Sequence, residues 1–327
     1  MHLLERHALY NLIRMNWLNE PNSKVEAWQV ADYRCIPLDE IFHRLKNFKI
    51  HLDQKSFVNY ASDYGSPEDF TDDITSDQEL SAKNSDQIYL LIFEIWRRLL
   101  TDKPSLTIIC NELDYQIHQH DRGVSSSSTA MQAALASFAR ALNDNVDQGL
   151  LAKEALSRIA PFFANDIESF FYDYIFEMIE ANELYAQELL ETFAPYLKDN
   201  KWFELLSVRL AERIDHKLAD KKLLRLMEEY LESEDVDFNL EVLSYLLEVG
   251  KYSQFEFLAL QILQFVQIEE EFQDLATLCR DFYQQLNKKE EETILKQLLK
   301  ERKSLSGQKK IGKTDKDLQK LAKLLTQ

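Results

Sequence analysis

Residues 242–263 read VLSYLLEVGKYSQFEFLALQIL, two apolar-rich stretches on either side of Gly250, Lys251 and Tyr252. On each side the apolar residues recur every three or four positions, which is the spacing of an amphipathic helix. Glycine between two such patterns indicates a turn. The stretch therefore predicts a helix, a short turn and a second helix.

The same unit recurs along the second half of the chain. Its starts are marked by Ile167, Trp202, Phe238 and Phe272, at spacings of 35, 36 and 34 residues. A fixed period of this length is typical of stacked helical hairpins, in which no unit buries its apolar face alone. We expect each of these large residues to pack against the neighbouring unit. The predicted units cover 165–199, 200–235, 236–270 and 271–304.

The turn at Gly250, Lys251 and Tyr252 resembles that of tetratricopeptide-type repeats, which often carry a Gly-x-Tyr turn at the corresponding place. The resemblance covers this turn and the period over residues 165–304. Phe255 stands where the family has a small residue, and the other three units lack the Gly-x-Tyr turn. The resemblance implies a right-handed stack of two-helix repeats, an α-solenoid whose curved surface binds another protein.

Composition favours an all-α fold. Six glycines and six prolines in 327 residues lie well below the usual share of each. Scarce turn-forming residues argue against a many-turned β fold and against glycine-rich phosphate loops. Apolar residues make up 45% of the chain, so it should fold rather than stay disordered. We therefore predict an irregular N-terminal helical region followed by the repeat stack.

The first half of the chain divides at an acidic stretch. Residues 63–80 hold seven acidic side chains and no basic ones, which indicates a linker. It separates an N-terminal helical region, 1–62, from a second helical region, 81–164. Within the second region, residues 88–100 are apolar on nearly every side, which predicts a buried central helix.

Two shorter segments are less regular. Residues 123–128, GVSSSS, are polar and flexible in composition and mark a further boundary. Residues 25–35, VEAWQVADYRC, mix β-branched and aromatic residues, which fit either a short strand or a helix. The sequence alone leaves that choice open.

Charge is distributed unevenly. The chain carries 38 basic and 56 acidic residues, a net charge of −18. From Lys296 onward there are ten basic and three acidic residues, a net of +7, which leaves −25 on the preceding part. A body this acidic repels nucleic acid and anionic membranes, so neither is an expected partner.

The basic tail, 305–327, ends in a short amphipathic helix with four leucines on one face. Residues 305–313 hold two glycines and three lysines, and we expect them to be mobile. The helix after them would either dock on the acidic body or be displayed to another protein. Its four leucines need cover in both cases.

The cysteines are Cys35, Cys110 and Cys279, which are odd in number and far apart. This spacing suggests neither a disulfide framework nor a cysteine zinc site, and it fits a reducing compartment. The apolar runs are too short to predict a membrane span, and the N-terminus lacks the pattern of a signal peptide. We therefore predict a cytoplasmic protein.

The densest group of metal-ligating residue types lies in residues 111–123, NELDYQIHQHDRG. The metal candidates there are Asp114, His118, His120 and Asp121. His118 and His120 are two positions apart, so on a helix they point about 200° from each other. Three or four converging ligands are needed to hold a metal ion. We therefore predict neither a metal nor another cofactor, and interpret the segment as the polar end of a helix.

The sequence contains no nucleophile elbow, phosphate loop, HExxH motif or dinucleotide fingerprint, and so it predicts no catalytic residue. Aromatic residues are dense in 162–176, where they fit a core between repeats or, in part, a binding surface. Candidate partner contacts are Tyr172, Tyr174, Tyr245, Tyr252, Lys309 and Lys310.

The predicted function is non-enzymatic protein binding, as an adaptor, assembly factor or chaperone for a basic or amphipathic segment of a partner. Two alternatives remain open at this point. One is an enzyme with a non-motif site near residues 110–121, with or without a metal ion. The other is a nucleic-acid-associated regulator that uses the basic tail. The oligomeric state is left open.

Overall fold

The fold is all-α. A computed structural model describes residues 4–124, 128–197, 200–230 and 234–326. In these ranges the chain forms 17 α-helices and three single-turn 3₁₀ helices, with no named β-strand. It divides into two compact units, which are described separately. Unit 1 is Met1–Tyr174 with Glu191–Lys198, and unit 2 is Ile175–Leu190 with Asp199–Gln327.

The helices of unit 1 are α1 (Arg6–Asn19), α2 (Leu38–Asn47), α3 (Gln54–Ala61), α4 (Pro67–Thr75), α5 (Ala82–Leu99), α6 (Leu106–Asp121), α7 (Ser128–Asp147) and α8 (Ala152–Ile159). Helix α5 is central. Its residues 88–96 are all buried, and α2, α3 and α4 pack against it. The polar boundary predicted at 123–128 lies largely outside the described residues.

Residues 63–80 are not the linker that their acidity predicted. Half of them form α4, which Ser66 caps and Pro67 begins. Phe70 is fully buried and meets the rings of Phe57 and Trp96 at 5.3 and 6.4 Å. The acidic side chains occupy the other faces of a helix whose apolar side is core. The two regions on either side of α4 accordingly share one hydrophobic cluster.

The ambiguous segment 25–35 is neither a strand nor an α-helix. It runs through turns into a 3₁₀ turn at Tyr33–Cys35. Three carbonyls of residues 33–36 accept hydrogen bonds from Arg98 at 2.8 to 2.9 Å. Buried Glu94 in turn accepts from Arg98 Nε at 2.5 Å. A side chain of α5, rather than a partner strand, therefore satisfies this backbone.

Helix α9 (Ile167–Ala181) and α10 (Glu183–Phe193) begin the hairpins, and each lies partly in both units. The remaining helices of unit 2 are α11 (Lys201–Ile214), α12 (His216–Tyr230), α13 (Val236–Glu248), α14 (Tyr252–Ile262), α15 (Glu269–Gln285), α16 (Lys289–Arg302) and α17 (Lys316–Leu325). Helices α11 to α16 pair as three successive hairpins, and α13 contacts both α11 and α15. Trp202 meets the buried Phe238 of the next hairpin at 5.2 Å between ring centroids.

Polar contacts also join consecutive hairpins of unit 2 at intervals of about one repeat. They are Arg213 with Glu183 at 2.8 Å, Tyr245 with Glu212 at 3.0 Å, and Tyr252 with Gln285 at 3.2 Å. Each contact therefore links neighbours along the chain, as expected where a unit packs on the next one.

The basic tail lies against unit 2, and residues 307–311 form backbone hydrogen bonds to it, which a mobile segment would not be expected to show. Glu270 N and Glu269 N donate to the carbonyls of Gly307 and Lys309 at 3.0 and 2.9 Å. Ile311 N donates to Gln267 O at 2.8 Å. Helix α17 then places Leu321, Leu324 and Leu325 in the core of the unit. The backbone hydrogen bonds fix the segment despite the conformational freedom of its two glycines. The leucine face of α17 is covered by the core of unit 2.

Among the residues with described positions, no helix is both long enough and apolar enough to cross a membrane.

Candidate functional site

Asp114, the most buried of the metal candidates, links α6 to residues 164 and 165 of unit 1, just ahead of α9. Its carboxylate accepts from Ala164 N at 2.8 Å, and from Asn165 N and Nδ2 at 3.2 and 2.7 Å. Asn11 Nδ2 adds a longer contact of 3.4 Å. Burial raises the pKa of Asp114 to about 6, and these donors offset part of that rise. The carboxylate is thus engaged by the turn that precedes α9.

The other candidate ligands do not converge on Asp114. His118 lies on the same face of α6, whereas His120 meets the ring of Tyr174 at 5.4 Å. Asp121 is exposed at the end of α6. In the part of the chain that the structure describes, no three His, Cys, Asp or Glu side chains are grouped to hold a metal ion.

Asp114 and His118 do share a pocket in unit 1 with a cavity of about 80 Å³. Its walls come from α1, residues 29–34, α5 and α6. Arg34 Nη2 donates to Asn111 Oδ1 at 2.8 Å, which directs the Asn111 amide nitrogen toward His7 Nδ1 at 3.2 Å. Burial and then the charge of Arg34 lower the pKa of His7 to about 3.

His7 is therefore neutral at pH 7, with Nδ1 accepting from Asn111 and the proton on Nε2. A histidine with so low a pKa is a poor general base at neutral pH. Arg34 supplies fixed donors in this pocket, and Asp114 is already occupied by its own backbone partners.

Two of the tyrosines predicted as partner contacts belong to the core, and that prediction is wrong for them. Tyr174 is buried and stacks on Phe170 at 5.4 Å. Tyr245 is buried and its hydroxyl donates to Glu212. Helices packed on two sides need large residues on both faces, which is why these rings point inward. Tyr172 and Tyr252 are half-buried.

Lys309 and Lys310 have exposed side chains on a fixed backbone. Lys310 forms an isolated β-bridge with Ile268 ahead of α15. Both lysines thus lie on a segment that docks along unit 2.

An acidic ridge, defined as Asp237, Glu270 and Asp274, lies on the exposed side of α13 and α15. All three side chains belong to exposed residues, and the two helices pack against each other. Asp237 and Glu270 stand in first helical turns, where the helix dipole favours a carboxylate. Gln308 Nε2, a neutral donor, lies 3.2 Å from Glu270 Oε2.

The carboxylates of the ridge act on one another. Burial, and then the charges of Asp235, Glu271 and Glu270, raise the pKa of Asp237. Burial, and then Glu270 and Asp237, raise the pKa of Asp274. Every charge that shifts these two groups is negative. A cationic group placed on the ridge would relieve this repulsion.

The ridge was missed at the level of the sequence, although a signal exists. Asp237 and Glu270 are 33 residues apart, close to one period, so aligning the units on their period places acids at nearly matching positions. The pocket residues had no such signal. His7 and Asn111 are 104 residues apart and meet only because α1 packs on α6.

Comparison with protein-family models, with curated proteins and with solved structures found no match for this chain.

Proposed function

We propose that the protein is a non-enzymatic interaction scaffold whose acidic ridge binds a basic, amphipathic segment of a partner protein. The observation that carries this proposal is the grouping of three exposed carboxylates, Asp237, Glu270 and Asp274, on two helices that pack against each other. Like charges held close together repel each other, and a cationic ligand relieves that repulsion. The proposed role is that of an adaptor, assembly factor or chaperone in the cytoplasm.

The binding mode follows from the arrangement of the hairpins. Stacked hairpins offer successive helices to an extended or helical ligand, as tetratricopeptide-type repeats do. Lysines of the partner would approach the ridge, while its apolar side chains would meet half-buried Leu278, one helical turn beyond Asp274 on α15. Complementary charge supplies specificity and a fast association rate more than raw affinity.

A synthetic lysine–leucine–alanine peptide with its leucines on one helical face provides the probe. Titration by isothermal calorimetry should detect binding to the full chain. The variant Asp237→Asn/Glu270→Gln/Asp274→Asn should bind about tenfold more weakly, the equivalent of about 1.4 kcal/mol. Its free energy of unfolding should stay within about 0.5 kcal/mol of that of the unaltered chain, because the relief of like-charge repulsion offsets the loss of two carboxylates from first helical turns.

The matched control removes the same net charge elsewhere, with Glu154→Gln/Glu188→Gln/Glu290→Gln on α8, α10 and α16. These three glutamates are exposed. The control should retain binding. An equal loss in both variants would reduce the effect to overall charge, and absence of binding to the unaltered chain would refute the proposal.

A further inference from the structure

Helix α12 carries an exposed face with basic and apolar side chains, in a chain whose net charge is acidic. The α12 face, defined by its residues, is Lys217, Leu218, Lys221, Leu224 and Arg225. At 100° per residue these positions fall within an arc of about 120°. Leu218 is 44% exposed and Leu224 is 52% exposed. The opposite side of α12 is buried through Ala219, Leu223 and Leu226.

Two further exposed aliphatic residues lie at the ends of α10 and α11. Ile214, at the end of α11, is 62% exposed, and Leu184, near the start of α10, is 82% exposed. They follow directly on Arg213 and Glu183, whose side chains meet at 2.8 Å. The two aliphatic residues therefore lie at the same end of neighbouring hairpins. Single exposed leucines are ordinary, but several together with a charged border mark an interaction site.

The cations of the face are little used within the chain. Arg225 reaches Glu229 only at 3.8 Å, and the Arg225 side chain is 77% exposed. Lys217 and Lys221 are exposed. One carboxylate, Glu228, falls in the same arc, at the C-terminal end of the helix. The face is thus apolar and cationic on a chain whose net charge is −18.

We infer that the α12 face docks an acidic amphipathic helix of another protein. Its leucines would cover Leu218 and Leu224, and its carboxylates would pair with Lys221 and Arg225. This surface is separate from the acidic ridge and prefers the opposite charge, so the inference does not depend on the proposed function. Together the two surfaces would allow one chain to hold two partners of opposite charge.

An acidic segment fits the charge distribution better than the other possible occupants. A membrane presents an anionic plane to the whole molecule, whose net charge of −18 opposes the approach. A single segment meets only the α12 face, since charges beyond about 8 Å are largely screened at physiological ionic strength. Two copies of this chain would have to join the face to a different, acidic surface, a head-to-tail contact that builds rings or filaments rather than a symmetric dimer.

The probe is a synthetic glutamate–leucine–alanine peptide with its leucines on one helical face, measured by fluorescence anisotropy against the full chain. Two variants divide the apolar and the charged contributions: Leu218→Ser/Leu224→Ser and Lys221→Glu/Arg225→Glu. Each should weaken binding about tenfold or more. Since both pairs are exposed, circular dichroism and the unfolding midpoint should stay close to those of the unaltered chain.

Matched controls use other exposed residues of the same kinds. Phe257→Ser removes a 56% exposed ring on α14, and Lys296→Glu/Lys300→Glu reverses two cations on α16. Both controls, and the ridge variant of the previous section, should bind the acidic peptide normally. Lack of binding, or equal losses in control and test variants, would overturn the inference.

Two further measurements distinguish the other occupants. Sedimentation with phosphatidylserine–phosphatidylcholine vesicles should show no association, and sedimentation velocity of the chain alone should give the same state for test and unaltered proteins. Vesicle binding, or self-association, that is abolished by Leu218→Ser/Leu224→Ser would assign the face to a membrane or to a second copy and overturn the inference.

Discussion

Arg302 and Glu269 form a two-point ion pair inside unit 2. Nε and Nη2 of Arg302 donate to the two carboxylate oxygens of Glu269 at 2.7 and 2.5 Å. Both side chains are buried. Nη1 of the same guanidinium reaches Asp317 at 2.8 Å and Asp315, the capping residue of α17, at 3.2 Å. One arginine therefore joins the start of α15 to the C-terminal helix.

Replacing this arginine should loosen the tail and destabilise the unit. Arg302→Met keeps an apolar stem but leaves Glu269 buried without its partner, which should cost about 3–5 kcal/mol. Urea unfolding gives the free energy, and hydrogen exchange should show lost protection in residues 316–325. Lys300→Met, an exposed neighbour on α16, serves as the control and should change stability by no more than about 0.5 kcal/mol. Equal effects of the two substitutions would contradict the role of the pair.

The large residues that begin successive hairpins should contribute different amounts to the free energy of unfolding. Phe238 is fully buried, so Phe238→Ala should cost about 3–5 kcal/mol. Trp202 packs on it but is only half-buried, so Trp202→Ala should cost less, about 1–3 kcal/mol. Because the two rings touch, the double variant should lose less than the sum of the single losses. Chemical denaturation of the three variants gives their free energies of unfolding. If the double variant loses the sum of the two single losses, the contact between Trp202 and Phe238 contributes nothing to stability.

Replacing Asp114 or Asp121 by alanine should change the stability of the protein by very different amounts. Both residues are metal candidates from the sequence, and both lie on α6. Asp114→Ala leaves buried donors of residues 164 and 165 without an acceptor and should cost roughly 2–3 kcal/mol. Asp121→Ala removes an exposed carboxylate at a helix C-terminus, which should be neutral or slightly stabilising. Thermal and urea unfolding compare the two. A substantial loss for Asp121→Ala would point to a role for that carboxylate beyond the fold.

His7 should make the protein less stable in acid. Its pKa is lowered from 6.5 to about 3, so the unfolded chain binds a proton that the folded chain does not bind between these values. Stability is fully present above pH 6.5 and falls as the pH falls toward 3. His7→Gln keeps an acceptor for Asn111 and does not titrate. The difference in unfolding free energy between wild type and variant should therefore shrink with falling pH, at no more than about 1.4 kcal/mol per unit. A pH-independent difference would show that the pKa of His7 is the same in the folded and the unfolded chain.

Periodicity predicted the hairpins well because it reports which side of each helix is apolar. The unit starts near Trp202, Phe238 and Phe272 lie at the start of α11, α13 and α15. The right-handed solenoid and the tetratricopeptide relationship stay predictions. Composition misled at α4, since a count of acids ignores that Phe70 and Thr71 fall on the one side that packs.

The candidate sites depended on information that the sequence does not carry locally. Tyr174 and Tyr245 were assigned to a surface by residue type, but burial is decided by which neighbours the helices meet. Arg34 reaches Glu112 across 78 positions, a pairing fixed by tertiary packing alone. The tail was expected to be mobile because glycine and lysine suggest flexibility. In the structure, Glu269 N donates to Lys309 O and Arg302 donates to Asp317, and neither contact can be predicted from local sequence.

The neighbour-to-neighbour contacts of unit 2 also set how this part of the chain would respond to tension. Arg213, Tyr245 and Tyr252 each bond to the adjacent hairpin, so one hairpin can detach while the next keeps its own pairing. A repeat such as Lys201–Asp235 holds 35 residues, which span about 120 Å when fully extended. Under a steady pull the unit would lengthen in discrete steps of this order. The tension would drop a little each time one hairpin unfolds, rather than once when the whole unit unfolds.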